Sequence, residues 1–177
     1  MFTIRDTKLH KVRNSDMRQI QPRNQLAPFI GGPRITVRGF LDYIAPHYPY
    51  GESIPYLNPI FKRLQIVGHN VSVHHAHIQQ QEFVGRRSAV ARLQDCIKSV
   101  CQFTANVAPY FKTDRQTGRR YTDYKFVDVE NSIEVSEEEQ FDYQNWCYDM
   151  GYLTPPSSEG RFADNNYDYA KDEVPRN

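Results

Sequence analysis

The sequence has three cysteines and one tryptophan in 177 residues, and no long apolar run. Each shortage excludes something. Cys96, Cys101 and Cys147 make neither a paired framework nor a zinc spacing, which points to a reducing compartment. Cys96 and Cys101 lack the Cys-x-x-Cys spacing of a redox pair. They fall late in a predicted helix, where the dipole does not activate a thiolate, and read as small core residues. No segment approaches the roughly 20 apolar residues of a membrane-crossing helix, and mean hydropathy is −0.72, so no membrane insertion is expected. There is no Gly-rich phosphate loop, no nucleophile elbow and no helical His-Glu-x-x-His. The expectation is a non-enzyme with no cofactor, no metal and no small-molecule substrate.

What the chain does have is a split charge. Residues 1–120 hold 18 Lys+Arg against 7 Asp+Glu, and residues 121–177 hold 4 against 14. The total of +1 conceals a cationic body and an anionic C-terminal part. One reading is a polyanion partner for the first part; the other is that the two parts neutralise each other within one fold.

Four segments are expected: a basic N-terminal extension (1–24), an α/β domain (25–130), an acidic-capped helix (131–152) and an acidic aromatic tail (153–177). The first 24 residues lack the apolar core of a secretory signal, and their cations are compatible with organelle import. Residues 1–30 show no sustained period, which suits a segment ordered on a partner, or a strand near Met17–Ile20 or Gln25–Ile30. Val37, Phe40, Leu41 and Ile44 fall at i, i+3, i+4 and i+7 and predict a helix ended by Pro46. Four prolines between residues 46 and 61 predict a long loop. Leu64–Gly68 alternates like a strand, and the run holding His74, His75 and His77 reads as extended. Ser88–Phe103 carries Val90, Leu93, Ile97 and Val100 at helical spacing, with Ser88 as N-cap. Residues 107–129 read as two strands around a basic turn, with Tyr124 and Phe126 on one face and Lys125, Val127 and Val129 on the other. Ser136–Glu139 is a capping box, and Gly151 closes the helix it opens.

The order of short motifs resembles a known family. Arg38 and Phe40, Asn58-Pro59, His75 or His77, and Glu82-Phe83-Val84-Gly85 follow one another as in a thioredoxin-like domain. That domain is shared by mitochondrial ribosomal proteins and a small accessory subunit of respiratory complex I. The matching stretch covers about a third of the chain, and His75-Ala76 stands where the family usually has His-Pro. The resemblance implies a small thioredoxin-like sheet with flanking helices, here with extended N- and C-terminal segments, and a location in the mitochondrial matrix.

On this basis the expected function is that of a structural protein of the mitochondrial ribosome. Arg34, Arg38, Arg86, Arg87, Lys112, Arg115, Arg119 and Arg120 are the candidate contacts to rRNA, since guanidinium forks bridge phosphate oxygens. The cations at the 112–120 turn are either a solvated hairpin end or a phosphate-contacting finger. Tyr143, Trp146 and Met150, with Phe162, Tyr167 and Tyr169 of the tail, are the candidate contacts to neighbouring subunits, although the helical stripe could equally dock on its own domain. Two alternatives stand beside this one: an accessory subunit of complex I with protein neighbours only, and a viral or other assembly protein that binds copies of itself.

Overall fold

A computed structural model describes residues 23–152. Five strands, Ile35–His47 (β1), Tyr56–Ile66 (β2), Val71–His77 (β3), Val100–Thr113 (β4) and Arg120–Glu134 (β5), form one sheet in the order β3-β2-β1-β4-β5. All four strand pairings are antiparallel. The one parallel contact among the described residues is an isolated bridge between Phe83 and Val129. Helix α1 (Arg86–Ala91) and three 3-10 segments, the longest Asn24–Phe29, lie between or before strands, and helix α2 (Glu137–Asp149) follows the last. The class is therefore mixed α/β, built on an antiparallel sheet.

Adjacent residues of a strand point to opposite faces, so Leu41 and Cys101 belong to one apolar cluster while Phe40 and Val100 belong to another. The larger cluster joins Val37, Phe61, Leu64, Phe103 and Phe126 of the sheet to Leu26, Phe83, Val90 and Leu93. Its aromatic spine runs Phe61, Phe103, Phe126, with ring centroids 5.3 and 5.7 Å apart. The smaller cluster packs α2 on the other face through Tyr143 and Cys147 against Phe40, Val100 and Val135.

The segment 37–44, expected as a helix, is the middle of β1. Val37 and Leu41 lie on one face and Phe40 on the other by ordinary alternation, and the register shift between Leu41 and Tyr43, where β1 spends an extra residue, brings Ile44 back to the Leu41 side, producing a spacing that imitates a helix. The β-branched residues Ile35, Thr36 and Val37 favour the strand. The expected 46–61 loop shrinks to residues 48–55, because Pro46 and Pro59 both lie in strands. Pro46 is tolerated where β1 pairs with β2 and has left β4 behind. The expected helix 88–103 is α1, then the 3-10 segment Gln94–Cys96, then β4. Lys98 in the left-handed region at φ 69° separates the last two. Gly85 (φ 87°), not Ser88, precedes α1, and the Ser88 hydroxyl donates back to the Gly85 carbonyl at 2.9 Å. Gln25–Ile30 is a 3-10 segment rather than a strand, while Met17–Ile20 lies outside the described residues. The boundary expected after residue 130 falls inside β5.

Three expectations agree with the structure. Leu64–Ile66 and the histidine run lie in β2 and β3. The 107–129 region is the β4–β5 hairpin, with one difference of facing. Asp128 (φ 51°) sits in the left-handed region, and Val129 joins Phe126 in the same cluster. Ser136 and Glu139 form the reciprocal capping box. At the other end of α2, Gly151 (φ 74°) donates to the Tyr148 carbonyl at 2.9 Å and Tyr152 to that of Cys147 at 2.8 Å, a Schellman closure. No helix among the described residues is long and apolar enough to cross a membrane.

Candidate nucleic-acid interface

β4 pairs with β1 only over Val100–Ala105, while its pairing with β5 continues to Thr113 opposite Arg120. The two strands thus leave the sheet as a two-stranded ribbon. Eight residues past Ala105, at ~3.3 Å each, carry its tip about 26 Å beyond the last β1 pairing. Pro109, which would interrupt a central strand, is accommodated in this stretch.

The tip is a tight, self-satisfied loop. The Asp114 amide donates to the Arg119 carbonyl and the Gly118 amide to the Asp114 carbonyl, both at 2.8 Å. The Asp114 carboxylate accepts from the Thr117 hydroxyl at 2.7 Å and from the Gln116 amide at 3.0 Å. Those bonds hold its carboxyl below the usual range, the Thr117 hydroxyl contributing most. The one acid of the tip is therefore spent on the loop itself. Around it Lys112, Arg115, Arg119 and Arg120 are all exposed. Lys112, Arg115 and Arg119 form no ion pair or side-chain hydrogen bond among the described residues, and Arg120 lies over the Phe111 ring at 4.1 Å.

The ribbon is held most of the way along, where Tyr110 faces Asp123, and three residue pairs continue past that point. Arg23 donates its amide to Asp123 Oδ1 at 2.8 Å and its guanidinium to Oδ2 at 2.9 Å and to the Tyr110 hydroxyl at 2.9 Å. The Tyr110 hydroxyl also donates to Asp123 Oδ2 at 3.1 Å. Burial alone would raise the Asp123 carboxyl, but the bonds and charge of Arg23 outweigh it and hold the group down to about 2. Burial likewise raises the Tyr110 phenol, against the opposing charge of Arg23. Lys125 pairs with Glu82 at 2.8 Å and clasps the ribbon to the segment before α1.

The other candidate RNA contacts lie elsewhere, and three of the four are engaged. Arg34 pairs with Glu130 at 3.6 Å and donates to the carbonyls of Thr104 and Asp128. Arg38 donates to Gln102 Oε1 at 2.9 Å and pairs at 3.3 Å with Glu139, the acid of the capping box. Arg87 donates to the Pro55 carbonyl at 2.6 Å, while Arg86 is exposed at the start of α1. Arg23–Asp123, Arg34–Glu130 and Arg38–Glu139 each join a cation of the first part to an acid of the second. Part of the charge split is thus neutralised within the fold, and the tip is where four of the expected residues gather.

The aromatic stripe of α2 turns inward. Tyr143 is 2% exposed and its hydroxyl donates to the Arg63 carbonyl at 2.8 Å, satisfying a backbone held at φ 52°. Trp146 packs on the same cluster, edge to face with Tyr152 at 5.6 Å, and Met150 alone of the three is exposed. Phe162, Tyr167 and Tyr169 lie outside the described residues. Among the described residues no three His, Cys, Asp or Glu side chains converge as a metal site. The histidines engage separate partners: His69 packs against Phe29 at 5.0 Å, His74 meets Arg63 at 2.6 Å and lies edge to face with His75 at 5.6 Å, and His77 is exposed, its pKa lowered by partial burial and then by His47. Cys101 and Cys147 are buried and unpaired, and burial pushes the Cys147 thiol up to about 12. Sequence reasoning missed Phe111, whose exposure follows from how far the hairpin outruns the sheet.

The sequence matches no protein-family model and no curated protein.

Proposed function

We propose that this protein is a non-catalytic structural component of a ribonucleoprotein, holding RNA with the tip of the β4–β5 ribbon. The observation that carries this reading is the group Lys112, Arg115, Arg119 and Arg120 on one projecting loop whose only acid is occupied internally. Packing does not account for four cations at such a place, and phosphate oxygens are their natural counter-charge. Contacts of this kind read backbone and shape rather than sequence.

The mitochondrial ribosome, in the matrix, is the setting the motif resemblance suggests, with neighbouring subunits meeting Met150 and the tail beyond residue 152. Membership of the thioredoxin-like family rests on those motifs alone, and the antiparallel sheet lends it no support. Arg38 and Phe40 of the motif lie in a strand and Asn58-Pro59 in the next one. The accessory-subunit reading draws on the inward pairing of Arg34, Arg38 and Arg87, which leaves fewer cations for RNA.

Sedimentation of tagged protein from a mitochondrial lysate, with and without ribonuclease, separates the two. Co-migration with a ribosomal subunit that shifts after ribonuclease is the expected result. Migration indifferent to ribonuclease, in the NADH-oxidising fractions, would replace it with the respiratory reading.

A further inference from the structure

Phe111 is 66% exposed on the projecting part of β4. Exposed apolar side chains are ordinary, Ile133 and Phe141 among them, and it is what surrounds this one that sets it apart. Its setting is specific. Register places Phe111 opposite Thr122 and Thr113 opposite Arg120, so Phe111, Thr113, Arg120 and Thr122 share one ribbon face. The Arg120 guanidinium lies over the Phe111 ring at 4.1 Å, which orders the ring and adds positive charge behind it. Thr122, across from the ring, is small and exposed, so the face beside Phe111 stays low. Lys112, opposite Tyr121, belongs to the other ribbon face, and Arg115 and Arg119 occupy the loop.

We propose that the Phe111–Arg120 face stacks an unpaired RNA base while Arg115 and Arg119 of the loop take the flanking phosphates, so that the ribbon selects single-stranded over duplex RNA. The inference rests on the RNA-binding reading above and names the form of RNA it takes. Two features choose this occupant. The cations around Phe111 favour a polyanion over an apolar protein pocket, and an aromatic ring amid phosphate-binding cations is the combination that binds single strands. In an A-form duplex the bases are already stacked on one another, and the ring finds no free π-face. A purely phosphate-binding finger would need Lys112 and the arginines but not Phe111.

The test is fluorescence anisotropy of the full chain with a short labelled single strand and with a blunt RNA duplex of equal length. Phe111→Ala and Phe111→Leu should each weaken single-strand binding about tenfold. Duplex binding and the salt slope should not change, and Phe111→Trp should restore the affinity. Because Phe111 is exposed, all three variants should keep the wild-type circular dichroism. Unchanged single-strand affinity in Phe111→Ala, with loss in Arg115→Ala, overturns base stacking and leaves the RNA-scaffold reading standing. No binding of either RNA by the wild type overturns both.

Discussion

Asp123 accepts from Arg23, Tyr110 and the amide of Tyr124, and its carboxylate is almost fully buried. Its folded-state carboxyl is held to about 2 against an ordinary 3.8. A depressed carboxyl contributes stability that is present above the unfolded value and lost as pH falls through the folded one. The window is therefore from near pH 4 down to near pH 2. Holding the carboxyl that far down corresponds to about 2 kcal/mol. Thermal unfolding of wild type and Asp123→Asn across that range should show a gap of this size at neutral pH that closes on acidification. A gap independent of pH would mean that Arg23 stabilises the ribbon by packing alone. Nothing local marked this residue in the sequence, since Arg23 and Asp123 are a hundred positions apart.

The last helix is the element whose two ends were legible before the fold was known. Ser136 and Glu139 cap it within four residues, and Gly151 supplies the left-handed closure, so both signals are local. Ser136→Ala should cost about 1 kcal/mol in chemical denaturation. Which face the helix buries was open, and the structure answers with Tyr143, whose hydroxyl meets the β2 backbone at Arg63. Tyr143→Phe, leaving that buried carbonyl without its donor, should cost about 1–2 kcal/mol. A neutral result would assign the docking of α2 to the rings and Cys147 alone. β1 was illegible for the opposite reason: it buries apolar residues on both faces, Leu41 on one and Phe40 on the other, and an extra residue between Leu41 and Tyr43 displaces Ile44 by one position, which only the partner strand reveals. The 88–103 stretch misled similarly, since Val100 and Phe103 belong to a strand whose alternation continues through Ala105 and Val107.

At the scale of the whole molecule the charge asymmetry divides into two parts. Some of it closes on itself through Arg23–Asp123, Arg34–Glu130 and Arg38–Glu139, stitching the start of the described chain to β5 and α2. Among the described residues another part gathers on the ribbon, where Lys112, Arg115, Arg119 and Arg120 are exposed and Lys125–Glu82 steadies the strands. The sequence showed the basic turn but not how far it projects, which depends on where β1 stops pairing with β4. Projection turns a basic hairpin end into a surface that a large polyanion can reach. The most direct measurement is the salt dependence of RNA affinity for the full chain, with Lys112, Arg115, Arg119 and Arg120 as they are and all four replaced by Gln. Loss of three phosphate contacts, those of Lys112, Arg115 and Arg119, at ~0.7 each predicts a log–log slope shallower by about 2 and much weaker binding at low salt. Equal slopes and equal affinities in the two proteins would contradict the assignment of RNA to the ribbon.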